Sequence, residues 1–356
     1  MEKLKAAVIG LGRMGAEPST RFEGKIPAGW LPISHAEALM TTEGIELVAL
    51  CDTDEKKLNH FGALYHVSNL YTDYQKLIAE VKPDIISIAT RTDVRCSIIH
   101  YALQQGVKGF YAEKPISRNI ADCKEVLSSI RESGAHMVYG ATRRAMDIYR
   151  KAKDLCWSGE LGEIQHISIE FGRSAILWTH PHSSDLITFF ANTTQLTQVQ
   201  GLCTFDNETI SDNDLVDCDP MLEQAYMTFA NGISASIIKT NGLNVRISCS
   251  LGNLTIHGDG NSLEINRQGQ IPHYFHTIEE QKVDPTASGT QHLFSELRDS
   301  IMNNNSIEHV TPEEIICGQQ ILFGIVQSAL QGGSMVQAAE LDEQLTVTGR
   351  KGNLYA

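Results

Sequence analysis

The sequence predicts an α/β chain in two parts: an amino-terminal doubly wound parallel sheet over residues 1–141, and an α+β part over 142–356 built on a large, mainly antiparallel open sheet. Three observations carry this expectation. Short apolar runs alternate with helical patterns through the first part, as parallel strands covered on both faces require. Beyond residue 164 the runs follow one another at hairpin spacing, separated by Gly, Asn and Asp turns. A length of 356 residues exceeds one ordinary core and suits two.

The first run, Leu4-Lys5-Ala6-Ala7-Val8-Ile9, leads directly into Gly10-Leu11-Gly12-Arg13-Met14-Gly15. A strand entering G-x-G-x-x-G is the dinucleotide fingerprint of a Rossmann sheet, so Gly10, Gly12, Arg13, Met14 and Gly15 are candidate cofactor contacts. Residues 16–34, with Pro18, Gly24, Pro27, Gly29 and Pro32, interrupt the following helix as a turn-rich insertion. Beginning beside the pyrophosphate turn, it either reaches over cofactor or substrate or forms a surface excursion or subunit contact. A helical pattern resumes at His35-Ala36-Glu37-Ala38-Leu39.

The next strand, 46–51, ends on Asp52. A carboxylate there accepts hydrogen bonds from the adenosine ribose hydroxyls and repels a 2′-phosphate. No arginine follows it, which favours NAD over NADP. Helices over 55–65 and 73–80 precede the β-branched strand 84–90, whose last residue, Thr90, sits at a carboxyl end facing the cofactor. A helix over 94–105 leads to a strand that stops on Tyr111-Ala112-Glu113-Lys114-Pro115, where the proline forbids a further ladder bond. That places Glu113 and Lys114 at the sheet edge where ligands of open α/β sheets bind. A helix over 120–133 and a strand over 136–140 complete the first part.

With a glycine fingerprint at its start and Glu113-Lys114-Pro115 near the end of the same domain, the sequence resembles the Gfo/Idh/MocA family of NAD(P)-dependent sugar and polyol oxidoreductases over nearly its whole length. The segment 142–164 is similar to the family's crossing helix and its S-G-x-x-G-x-I strand entry, with Arg144 a candidate substrate contact. In Trp178-Thr179-His180-Pro181-His182-Ser183-Ser184-Asp185-Leu186 the resemblance aligns His182, Asp185 and Leu186 with the family pattern D-x-x-x-H-x-x-D-L. Two departures stand out. Trp178 occupies the place of the upstream acid, and Thr90-Arg91-Thr92-Asp93-Val94-Arg95 replaces T-P-x-x-x-H. The resemblance implies catalysis by Lys114 and His182. Trp178, as a flat platform for a sugar ring, joins His180 and Asp185 as further substrate candidates. His180 and His182 have no third ligand at a diagnostic spacing, so no metal is expected.

The expected activity is hydride transfer between NAD and a secondary hydroxyl of a sugar, sugar derivative or cyclitol. Two alternatives stand beside it: an NAD-dependent glycoside-processing enzyme using transient oxidation, and a non-catalytic NAD-binding sensor. A net charge of −14 opposes a nucleic-acid partner or an anionic membrane surface. No apolar run approaches a membrane span, the eight cysteines lack any C-x-x-C pair, and the expected setting is a reduced cytoplasm. Helices covering one face of the second sheet leave the other for a homodimer or homotetramer.

Overall fold

Strand β1 (Leu4–Ile9), buried at all but one of its positions, forms the axis of the first sheet. The computed structural model describes residues 3–205, 210–211, 215–240, 242–269, 271 and 275–349. In it β1 is joined by β2 (Ile45–Cys51), β3 (Asn69–Tyr71), β4 (Ile85–Ile88), β5 (Gly109–Ala112) and β6 (His136–Tyr139) in the order 3-2-1-4-5-6. Every pair is parallel, with Ala6 opposite Leu47 on one side and Ile85 on the other. The order reverses at β1 and β4, so the crevice beyond their carboxyl ends is the ligand-binding edge.

Local chemistry sets the helices around this sheet. Asp54 caps α3 (Glu55–Tyr65) by accepting from the Lys56 and Lys57 amides, Asp73 does the same for α4 (Tyr74–Val81), and Asn119 caps α6 (Ile120–Ser133). The first helix, α1 (Arg13–Ala16), lasts a single turn before Glu17 and Pro18 end it. Two short 3₁₀ turns at Ser19–Arg21 and Ala28–Trp30 then carry the insertion to α2 (His35–Thr41). Ser19 fastens the insertion to α2 through its amide, 2.9 Å from Glu37 Oε2, and its hydroxyl receives the Ile33 amide at 3.0 Å.

Beyond α5 (Arg95–Gln104) and α7 (Asp147–Trp157) the second sheet begins at β7 (Ile164–Glu170). Its strands run in the order Phe275–Gln281, Ser262–Gln268, Gly252–His257, Asn244–Cys249, β7, Ser234–Ile238, Met221–Phe229, Leu196–Thr204 and Val336–Gln337. All of these neighbours are antiparallel except β7 and Ser234–Ile238, which run parallel. The helices α8 (His180–Ala191) and α10 (Pro312–Leu330) share one core with this sheet, while α9 (Gly289–Asn303) contributes Leu293, Phe294 and Leu297 to the first domain's core. A capping box, Ser288 with Gln291 in α9 and Thr311 with Glu314 in α10, starts each of the last two.

Three differences from the sequence expectation have plain causes. The three-residue β3 is too short to show periodicity. Phe275–Gln281 is an edge strand whose acidic run Glu279-Glu280 reads as loop, yet charge suits an edge that pairs on one side only. Helix α8 starts already at His180, since Pro181 is tolerated in a first turn. No described helix is long and apolar enough to cross a membrane.

Candidate active site

The glycine turn is shaped by contacts that exclude side chains on two of its three glycines. Gly10 has φ +92°, and a Cβ there would lie 2.8 Å from the Ala89 carbonyl carbon; one on Gly15 would lie 1.8 Å from the Gly10 oxygen. At Gly12 a Cβ would meet nothing within 4 Å, so the turn presents an open face where a diphosphate has room to approach the backbone. Asp52, at the end of β2, accepts from the Leu11 amide at 2.7 Å through one oxygen and from the Asp54 amide at 2.9 Å through the other. Each carboxylate oxygen keeps a second lone pair for a ribose hydroxyl. These features fit an NAD-type dinucleotide lying across β1 and β2. Met14, beside them, packs its side chain on the second domain's core, and the Thr90 hydroxyl turns to the Arg91 carbonyl.

At the end of β5 the two charged neighbours part ways. Glu113 is buried against His35, whose Nε2 lies 3.2 Å from its Oε1 and whose Nδ1 meets Ser87. Burial alone would raise its pKa, but His35, Lys114 and Arg95 together hold it below the usual carboxylate value. The expectation of a direct cofactor contact from Glu113 is therefore corrected: its carboxylate serves an internal network. Arg95, likewise buried, holds the backbone carbonyls of Thr90 and Pro115.

Lys114 reaches out toward the second domain instead. Its Nζ donates to the Trp178 carbonyl at 2.8 Å and lies 5.6 Å from the centre of the Trp178 ring, which also lies under the Arg13 guanidinium at 5.8 Å. Desolvation lowers the Lys114 pKa to about 8, opposed by Glu113 and reinforced by Arg95, Arg143 and Arg13. Where the family pattern has an acid side chain, this chain supplies a backbone oxygen, and the Trp178 indole has two cations over it.

Helix α8 delivers the histidines. His182, in its first turn, has a pKa pushed well below the ordinary imidazole value, first by burial and then by the cations Arg143, Lys114 and Arg13, so it is neutral at pH 7. His180 is fully buried, its Nδ1 3.0 Å from Ser183 Oγ, and burial lowers its pKa to about 4. Its Nε2 is buried without a hydrogen-bond partner.

Asp185 and Arg144 are corrected as well. They form a buried ion pair, Arg144 Nη2 to Asp185 Oδ1 at 2.7 Å and Nε to Oδ2 at 3.0 Å. Arg144's other donors go to Glu314, Thr188 and two backbone carbonyls, leaving it none for a substrate. Burial raises the Asp185 pKa to about 6 against the pull of Arg144. Through Glu314, the other acid on Arg144, the pair also ties α8 to α10.

Two residues that sequence reasoning missed flank His182. Trp30, from the insertion, meets its ring edge-on with centroids 6.4 Å apart and donates from Nε1 to the Asp259 carbonyl at 3.2 Å. Arg143, between β6 and α7, lies 4.7 Å from the ring centres of both Trp30 and Phe171. Among the described residues no cluster of three or more His, Cys, Asp or Glu side chains is arranged to hold a metal.

The model of the Gfo/Idh/MocA oxidoreductase family, NAD-binding Rossmann fold, matches residues 4–141. That match takes in the glycine turn, Asp52 and Lys114. The chain is 29% identical over 119 residues to D-apiose dehydrogenase of Paraburkholderia graminis, covering 33% of this chain and 32% of that protein. It is 24% identical over 160 residues to myo-inositol 2-dehydrogenase of Thermotoga maritima, covering 45% and 42%. Less than half of either relative's length is thus matched. The fold extends further. A solved oxidoreductase from Agrobacterium radiobacter, in complex with NAD+, L-tartaric acid and magnesium, superposes on 95% of this chain and 99% of its own with a TM-score of 0.72 at 16% identity.

Proposed function

We propose that the protein is an NAD-dependent oxidoreductase that transfers hydride between the nicotinamide and a secondary hydroxyl of a sugar, sugar derivative or cyclitol. The observation that carries this is the meeting of Lys114 with the segment that delivers His182: the ammonium is bound to the Trp178 carbonyl, four residues before an imidazole whose basicity it helps to lower. Names of the relatives, dehydrogenases of apiose and inositol, support the substrate class.

When bound, NAD supplies the hydride acceptor. Gly10, Gly12, Gly15 and Arg13 would hold its diphosphate and Asp52 its ribose. Hydride leaves a carbinol carbon only as the hydroxyl proton departs, and the neutral His182 imidazole is the base that takes it. Lys114, still mostly protonated at pH 7 with a pKa of about 8, stabilises the negative charge that develops on the oxygen. Trp178 fixes Lys114 in place through its carbonyl, and Trp30 closes the pocket beside His182. The face of the second sheet away from its helices, which exposes Leu202, Tyr226 and Ile238, is where we place a second copy of the chain.

Lys114→Ala tests the reading. Turnover, followed as NADH absorbance with a panel of sugars and inositols, is expected to fall about 10²–10³-fold, with NAD affinity by fluorescence titration preserved. Undiminished turnover would refute the role of Lys114.

A further inference from the structure

The pocket around His182 is unbalanced in its hydrogen-bonding groups. Arg13 Nε, His182 Nδ1 and Arg143 Nη1 are each buried without a hydrogen-bond partner. The neighbouring acids are engaged elsewhere: Glu113 with His35, and Asp185 with Arg144. Arg13 belongs to the glycine turn, where a dinucleotide's phosphates account for it. Arg143 has no such explanation.

Its partner, Asp259, accepts from Nε at 2.6 Å and from Nη2 at 3.0 Å, which uses one edge of the guanidinium fork. Trp30 and Phe171 flank the plane of the group. The fork is therefore held on one edge and across its plane, and Nη1 is left as a fixed donor. A guanidinium nitrogen can only donate, so whatever completes it must accept. A sugar hydroxyl can accept, but it brings a hydrogen that needs its own acceptor. A carboxylate oxygen brings none.

We propose that the substrate carries a carboxylate, as a sugar acid or acidic cyclitol does, and that Arg143 Nη1 receives it beside the hydroxyl that His182 serves. This rests on the redox reading above and narrows it to acidic members of the polyol class. Arg143 is then a specificity-determining residue. Trp30, carried in by the insertion, fixes its position, which gives residues 16–34 a purpose in the site. The same positive surroundings appear in the depression of both Lys114 and His182, for which Arg143 is among the causes.

The test uses the full chain saturated with NAD and titrated calorimetrically with matched pairs, D-glucuronate against D-glucose and D-galacturonate against D-galactose. At least one acid should bind about tenfold or more tightly than its neutral partner, the effect of one charge-assisted hydrogen bond, and added salt should shrink the preference. In Arg143→Met the preference should fall to near parity. Equal or better binding of the neutral sugars, or no binding by either acid, overturns the proposal. So does an acid preference that survives in Arg143→Met. If that variant does not fold, the wild-type pairs decide alone. NADH absorbance in the same samples keeps the two readings apart. An acid that binds but is never oxidised counts against the redox reading, whereas oxidation of neutral sugars without acid preference counts against the carboxylate alone.

Discussion

The two halves of the candidate site are built by different means. The cofactor half lies within one β-α-β unit: a strand, a glycine turn and an aspartate at the end of the neighbouring strand, linked by the 2.7 Å bond from the Leu11 amide to Asp52 across 41 residues. The substrate half is assembled from distant segments. Trp30 meets Asp259 across 229 residues of sequence, Arg143 meets Asp259 across 116, and Lys114 meets Trp178 across 64. Local backbone geometry dictates the first half, so its residue types are fixed and readable. Tertiary contact dictates the second, so its chemistry becomes visible only once the two sheets are brought together.

This contrast can be broken by substitution. Gly15→Ala places a methyl group against the Gly10 carbonyl, and overpacking against backbone costs about 3 kcal/mol or more. NAD binding should vanish and the melting temperature fall, both measurable without any substrate. A cofactor affinity unchanged by this variant would show that the turn does not bind NAD.

A similar loss is expected from Asp185→Asn, for a different reason. Removing the Asp185 charge leaves the buried Arg144 guanidinium with Glu314 as its remaining acid, which costs about 3 kcal/mol. Chemical denaturation should show that loss, and folded protein should keep its substrate preference. A selective rise in KM without loss of stability would return Asp185 to the substrate.

The smallest effect sharpens the comparison. Trp30→Phe keeps most of the ring but loses the bond to the Asp259 carbonyl, a net of about 1 kcal/mol. KM for substrate should rise about fivefold, with NAD affinity unchanged, because the insertion serves the assembled half. A change in NAD affinity alone would place the insertion over the cofactor instead.

Much of the framework was legible beforehand because it rests on local rules. Gly10, Gly12 and Gly15 stand out because two of them admit no side chain, and Lys114 because Pro115 ends its strand. The carboxyl caps and capping boxes of the helices follow equally local chemistry. Asp185, Arg144 and Glu113 were misread for one shared reason. Each is a polar residue in a motif-like position, and only burial against a specific partner reveals that its hydrogen bonds are already made. Trp30 and Arg143 carried no pattern at all, since an indole in a turn-rich insertion and one arginine of an Arg143-Arg144 pair look ordinary until Asp259 and His182 lie beside them.

The most direct test of a neutral His182 working beside a cationic Lys114 is the pH dependence of kcat/KM for substrate oxidation. Burial and nearby cations depress His182 well below 6.5, so the rate should already be on its plateau by pH 7. Lys114 loses its charge as pH rises through about 8, so the rate should fall above that point. Lys114→Arg, which stays charged, should lose the alkaline fall while retaining part of the rate. A rate that climbs through pH 8 in the wild type would contradict the account and make Lys114 the base.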